Sequence, residues 1–250
     1  MNPRISIASL IYRSTKFAES TYRSIQKHTS LLHTGDAEFF FIANDATELV
    51  KSYLQNEGIK HFINNNRHFS DKELLKMGFA KPEYIHRVYR GWNKAFEHAA
   101  GEIVVLINSD MQFSPDWLEN LIKNTNKTQM VCSHLIERRH PRHGVFDGAI
   151  HGEFGSHPSN FKEDEFLKLA AELSKPGTSI GGAYMPCAIY KDVAYAAGLF
   201  PEGNISAGTW DKVLRYGDED FVFRLEKAGV RHVTATDSIV YHYKEGEMDE

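Results

Sequence analysis

Apolar runs and helical patterns alternate through the first half of the chain. Residues 5–11 and 39–43 are apolar enough to read as buried strands, and residues 60–63 as a shorter third strand. Between the first two, Ser14 or Thr15 caps a helix that keeps Ala18, Tyr22 and Ile25 on one face. The polar group at 44–47 opens the next helix, which turns Val50, Tyr53 and Leu54 inward and stops at Gly58. From near Pro82 a longer helix spaces Ile85, Val88, Trp92, Phe96 and Ala99 at helical intervals and ends at Gly101. Consecutive branched aliphatic residues then make Ile103–Ile107 a strand buried on both faces. This β-α-β-α-β-α-β order demands a mostly parallel sheet with right-handed crossovers. The fold class is therefore α/β, Rossmann-like, with a mostly parallel central sheet flanked by helices.

The strand at 103–107 ends abruptly in Asn108, Ser109 and Asp110. In open α/β sheets ligands sit beyond the carboxyl ends of the strands, so Asp110 arrives where a ligand should be. A polar turn into the next helix is the plainer reading, with Ser114 as cap and Pro115 at the first helical position. The second half is less regular. Trp117, Leu118, Leu121 and Ile122 mark an amphipathic helix, residues 130–136 a strand, residues 164–173 a helix and residues 179–190 an apolar stretch. A long irregular loop over 137–160 carries Arg138, Arg139, His140, Arg142 and His143. Loops of that length inside a compact domain are usually functional or disordered. A helix with an acidic start and an apolar stretch over 230–243 come next, and the acidic end at 245–250 reads as frayed.

Length adds scale to this pattern: 250 residues bury a substantial core as one large domain or two small ones. A net charge of −4 gives no bulk attraction to nucleic acid or an anionic membrane. The two cysteines form no disulfide framework and no metal knuckle, which fits a reducing compartment. No apolar run approaches the roughly 18 residues of a spanning helix, so no transmembrane segment is expected and the location expected is cytoplasmic.

Five places in order carry a resemblance: the first strand through Tyr12 and Arg13; the turn at Asn44 and Asp45; the segment from Gly91 through Asn93 to Asp110; Gly198 to Glu202; and Asp218, Glu219 and Asp220 ahead of Arg224, with His242 after them. Together they resemble the GT-A fold glycosyltransferases of family 2, over nearly the whole chain. The resemblance implies a single GT-A domain over 1–250, with 1–110 the nucleotide-binding half and 111–250 the acceptor-binding half. It implies inverting transfer of a sugar from a nucleotide-sugar donor, most readily a UDP-sugar, to an acceptor hydroxyl. The metal is Mn²⁺ or Mg²⁺, a mixed imidazole and carboxylate set leaning toward Mn²⁺. Asp110 matches the last acid of the family's Asp-x-Asp motif, with Asn108 in place of the first, and His242 matches the late metal-binding histidine.

The resemblance also assigns the base, which must take the acceptor's proton, to Asp218, with Asp220 close behind. The glutamate that usually precedes the base is replaced by Gly217. Without the family, three acids at a helix start would simply complement the macrodipole. Tyr12, Arg13, Asn44, Asp45, Asn93, Asn108 and Ser109 are the expected donor-nucleotide contacts, and Asn44 and Asp45 read equally as a helix cap. Gly181 and Gly182 suggest close backbone approach near the acceptor, or a bulge. Trp210 reads as a stacking platform or a packing residue. The acceptor is a glycan or another hydroxyl-bearing molecule; the basic loop leaves a nucleic acid open, although a lid over the donor fits it better. Two rival classes remain: a nucleotidyltransferase, which would release pyrophosphate, and a nucleotide- or carbohydrate-binding module without catalysis.

Overall fold

The computed structural model describes residues 4–67, 70, 72, 82–139, 144–208 and 212–244. Its centre is a ten-stranded sheet. Strands β1 (Ile5–Ile11), β2 (Ala37–Asn44), β3 (His61–Asn64) and β4 (Ile103–Ile107) stand in the order β3-β2-β1-β4, all parallel. This is the half the apolar runs predicted. Beyond β4 the sheet becomes mixed. β9 (Cys187–Tyr190) runs antiparallel to both β4 and β6 (Gln129–Glu137); β6 then pairs in parallel with β12 (Arg231–His242), whose far side carries the short antiparallel β5 (Met111–Phe113). β7 (Ile150–His151) pairs with β6 and β8 (Thr178–Ile180) with β12, while β10 (Ile205–Ser206) and β11 (Val213–Arg215) form a separate hairpin-like pair. The apolar stretch at 179–190 is thus split between two strands.

Alternation along the strands builds two cores. Ile5, Ile7 and Ile11 with Ile103, Val105 and Ile107 enter one face, where α1 (Thr15–His28), α3 (Glu48–Asn56) and α5 (Trp117–Ile122) cover them through residues such as Ile25, Leu54 and Trp117. Ala8, Val104 and Leu106 enter the other, under α4 (Pro82–His98), α7 (Lys191–Ala196) and α8 (Gly217–Lys227). Burying each such aliphatic side chain contributes about 1.5–3 kcal/mol, which explains why both faces of β4 tolerate no polar residue. A third cluster of Phe17, Phe154, Tyr241 and Tyr243 lies under α6 (Glu163–Leu173). A further short helix, α2 (Ser30–Thr34), comes directly after α1.

Two features shape the carboxyl end of the sheet. First, Asn108, Ser109 and Asp110 alone join β4 to β5, which lies four strands away. Fully extended, that link reaches about 14 Å, whereas four flat strand spacings need about 19 Å. The carboxyl end must therefore curl inward, and the linker crosses its mouth. Second, β12 carries a bulge: Ala235 pairs with Ser133 but Ile239 pairs with His134, leaving residues 236–238 out of register. The bulge is pinned by a Lys123–Asp237 ion pair at 2.5 Å, by Asn120 donating to the Asp237 carbonyl at 2.9 Å, and by the Ser238 hydroxyl donating to the Trp117 carbonyl at 2.7 Å.

The helix at 117–122 corrects one expectation. Ser114 is not its cap: the hydroxyl donates to the Ile239 carbonyl at 2.9 Å, and the helix starts only after Asp116, which sits at φ 60°. Gly182 is closely approached by Thr234 of β12, within the fold. With φ +115°, a Cβ there would lie 2.0 Å from the Thr234 hydroxyl. Trp210, His140, Arg142, His143 and the acidic end lie outside the described residues. Among the described residues, no helix is long and apolar enough to cross a membrane.

Candidate active site

Antiparallel pairing of β5 with β12 puts Met111 opposite His242, so Asp110 precedes the paired residue by one. The Tyr243 amide donates to the Asp110 carbonyl at 3.1 Å, fixing the two segments side by side. From the other side, Thr21 on α1 donates to the Ser109 carbonyl at 2.6 Å. The linker is thereby tied to a helix and to the last strand. The result is a direct side-chain contact: His242 Nε2 lies 3.2 Å from Asp110 Oδ1. Asp110 and Ser109 are buried, and Asn108 is half-buried beside them.

Sequence reasoning missed the residue behind this pair. Glu137 ends β6 in register with His242, and its Oε1 accepts from His242 Nδ1 at 2.9 Å. Its other oxygen accepts from Lys244 Nζ and from the Phe146 amide, both at 2.9 Å. Glu137 is fully buried, so these partners are what permits its charge. Burial opposes ionisation, but the His242 contact, the Phe146 amide and Lys244 overcome it and hold the carboxyl below its usual range. Asp110, His242, Glu137 and Lys244 thus form a chain of alternating charge. Burial likewise disfavours a charged His242, yet the flanking Asp110 and Glu137 carboxylates push its pKa up to about 9. The available signal was positional: Glu137 terminates an apolar run just as Asp110 does.

The donor set fits a divalent cation. Asp110 supplies hard oxygen and His242 a nitrogen on the same side, once the ring gives up its Nε2 proton. Among the described residues no cluster of three or more His, Cys, Asp or Glu forms a complete cage. Glu137 lies behind the imidazole, on Nδ1, so a cation held here would take two protein ligands and draw its remaining coordination from phosphate oxygens and water.

The acidic helix start separates its two candidates. Asp220 is committed: Oδ1 accepts from Arg215 Nη1 at 2.8 Å and Oδ2 from Arg224 Nε at 2.9 Å. Arg224 also donates to the carbonyls of Ala197 and Leu199, so Asp220 belongs to a brace that holds the turn before Phe200. Asp218 has no such cation among the described residues. One oxygen accepts from the Glu219 amide at 2.9 Å, and burial pushes its carboxyl above the usual aspartate range. Gly217 explains the departure from the family pattern. A Cβ there would lie 2.3 Å from the Tyr89 ring, whose hydroxyl accepts from the Gly217 amide at 2.9 Å and the Asp218 amide at 3.3 Å. Cys187 pairs with Leu106, so the residues before β9 lie at the carboxyl end of β4. Tyr184 there has its pKa raised to about 12, by burial first and then by the Asp218 charge. Asp218 thus lies within electrostatic reach of the carboxyl end of β4.

The expected nucleotide contacts divide. Asn44 is buried, donates to the Arg87 carbonyl at 2.8 Å, and accepts from Asn64 at 2.7 Å and Asn66 at 3.0 Å. Its side chain is used within the fold. Asp45 stands at the mouth with φ 51°, its carboxylate held by Asn66 at 2.7 and 2.9 Å and 3.8 Å from Arg87. Tyr12 and Arg13 are exposed beside it, and both Arg13 and Arg87 lie against the Tyr12 ring. Asn93 is elsewhere: its amide donates to the Phe200 carbonyl and accepts from the Phe200 amide, both at 3.0 Å. That leaves it a clamp between α4 and the turn after α7. Arg138 donates to the Tyr243 carbonyl at 3.4 Å, and the Arg139 amide to Glu153 at 3.2 Å.

Comparison with known proteins bears on the fold. Residues 79–192 match the model of glycosyl transferase family 2. The chain has the GT-A fold, and the segment that matches the family 2 model lies at its centre. That segment includes Asp110 and Glu137 but neither Asp218 nor His242. Among solved structures, the chain is similar to the mannosyltransferase PcManGT from Pyrobaculum calidifontis, in complex with GDP-Man and Mn²⁺. The TM-score is 0.57 at 15% identity, covering 98% of this chain and 59% of that one. It is also similar to GalNAc-T7 with UDP, GalNAc and Mn²⁺, at TM-score 0.58, 17% identity, and 96% and 44% coverage. S. aureus TarS, residues 1–349, gives TM-score 0.54, 13% identity, and 96% and 60% coverage. The chain therefore spans three fifths or less of the length of these GT-A structures. No curated protein matches the sequence.

Proposed function

We propose that the chain is an inverting, metal-dependent glycosyltransferase that moves a sugar from a nucleoside diphosphate sugar to an acceptor hydroxyl. The observation that carries this reading is the Asp110–His242 contact across the curled mouth of the sheet, with a half-buried carboxylate, Asp218, that meets the Tyr89 hydroxyl and the Glu219 amide but no cationic side chain among the described residues. When bound there by Asp110 and His242, a divalent cation, Mn²⁺ before Mg²⁺, would neutralise charge developing on the diphosphate leaving group. Asp45, Tyr12 and Arg13 form the nucleotide side of the cleft, with Asn108 and Ser109 on its floor. Of the donors named for the neighbours, one is guanosine- and one uridine-based; a UDP-sugar is our first choice.

Asp218 receives the acceptor's hydroxyl proton as the oxygen forms its bond to the anomeric carbon. The bond from that carbon to the diphosphate oxygen breaks, the electron pair leaves with the nucleoside diphosphate, and the configuration inverts. A carboxyl raised by burial suits this work, because a base is most effective with a pKa nearer the working pH. Two buried cysteines, cross-strand neighbours yet free, support a reducing, cytoplasmic setting. Incubation with Mn²⁺ and a panel of nucleotide sugars, with and without glycan acceptors, tests the proposal. Release of nucleoside diphosphate supports it; pyrophosphate release would identify a nucleotidyltransferase, and tight nucleotide binding without release a binding module.

A further inference from the structure

We infer that Glu137 is a positioning residue of the cation site: it holds the His242 imidazole by Nδ1 and so presents Nε2 to the position shared with Asp110. The inference rests on the reading that Asp110 and His242 take a divalent cation.

A histidine side chain at a strand end has two freely chosen torsions, and its ring can offer either nitrogen. Three observations remove that freedom here. The β6–β12 register sets Glu137 opposite His242, so the contact is made between rigid elements rather than across a loop. Glu137 Oε1 lies 2.9 Å from Nδ1 while Asp110 Oδ1 lies 3.2 Å from Nε2, so the ring is gripped at both nitrogens and its plane is fixed. Glu137 is itself immobilised, since Oε2 accepts from Lys244 Nζ and the Phe146 amide. Lys244 also donates to the Gly144 carbonyl at 2.9 Å and lies 5.2 Å from the Phe146 ring centre. The carboxylate that orients the ring thus ties together the end of β12 and the loop after β6. A carboxylate on the remote nitrogen of a ligating histidine fixes orientation and raises ligand basicity; its loss typically costs about 10- to 100-fold in metal affinity.

The test reads Mn²⁺ binding by electron paramagnetic resonance with UDP present, together with the imidazole nitrogen modulation of the Mn²⁺ echo. Wild-type protein is expected to show that modulation. Glu137→Ala should weaken Mn²⁺ binding by about 10- to 100-fold and reduce the modulation. Glu137→Gln, whose carbonyl still accepts from Nδ1, should retain the modulation and lose less affinity. In a His242→Ala background, neither substitution at 137 should weaken Mn²⁺ binding further. Should Glu137→Ala fail to fold, Glu137→Gln carries the test through the same two backgrounds. Unchanged Mn²⁺ affinity in the single variants, or an equal loss with and without His242, overturns the role of Glu137 while leaving the cation site standing. No nitrogen modulation in wild-type protein overturns the site and the inference together.

Discussion

Asp218 and Asp220 stand two positions apart at the start of α8 and share no partner. Both oxygens of Asp220 are held by arginines, Arg215 and Arg224, whereas Asp218 is held by a backbone amide and pressed by burial. One carboxylate is spent on the fold, and the other is the base we propose.

Their asparagine variants should therefore fail in different ways. Asp218→Asn should bind nucleotide and Mn²⁺ normally and lose turnover by roughly 100- to 10,000-fold, the range supplied by a general base. Asp220→Asn should lose about 1.5–3 kcal/mol of stability through its weakened charge-assisted bonds. Single-turnover kinetics and thermal melts of both variants distinguish the assignments. Near-normal turnover in Asp218→Asn would remove it from the chemistry.

The raised Asp218 carboxyl makes two pH predictions of opposite sign. Because the base works ionised, the acid limb of kcat/KM should fall at a pH above the 3.8 of an ordinary aspartate. For folding, a pKa raised in the native state gives stability that is full below the unfolded value and declines as pH rises through the folded one. Asp218→Asn cannot ionise, so it should melt above wild type at pH 7, with the difference shrinking on acidification. Paired melts across pH check this.

Removing Asp110 strips the cation side of His242. Asp110→Ala should lower Mn²⁺ affinity by more than the roughly 10–100-fold of an outer-shell loss, and donor binding should lose its dependence on metal. Calorimetric titration of nucleotide with Mn²⁺ or with chelator measures both. Donor affinity that still responds to Mn²⁺ in this variant would place the cation elsewhere.

Asn93 and Asp45 should also behave differently. Asn93→Ala breaks two hydrogen bonds to Phe200 and should cost about 1–3 kcal/mol with little change in donor KM. Asp45→Ala should weaken nucleotide binding, while Asn44→Ala should act chiefly on stability. A raised donor KM in Asn93→Ala, without a lower melting temperature, would return that residue to the nucleotide.

Much of this was legible in the chain. The runs at 5–11 and 103–107 announced strands, the second buried on both faces, and the abrupt polar stop after Ile107 located Asp110, because those signals are local. Glu137 was not legible as a site residue, since its meaning depends on a strand pairing with residues about a hundred positions later. β5 escaped because three residues after a polar turn carry too little periodicity, and Ser114 misled because its hydroxyl found the Ile239 carbonyl instead of a helix. Asn93 looked like a ligand contact for want of any sequence sign of its partner. Gly217 read as a defect in the acidic motif until Tyr89 was seen to need the space.

The displaced residues 236–238 of β12 have a consequence for how this protein can change. Beyond the bulge, His242 takes its direction from its pairing with Glu137 on β6 and Met111 on β5. Ala235 and Val240, five positions apart, enter the same core, so the three extra residues break the alternation that an unbroken strand would impose. The stretch thus uncouples the register before Ala235 from the register that aims His242. A change of length in the bulge can be absorbed there, whereas one within residues 239–242 would turn the imidazole to the opposite surface.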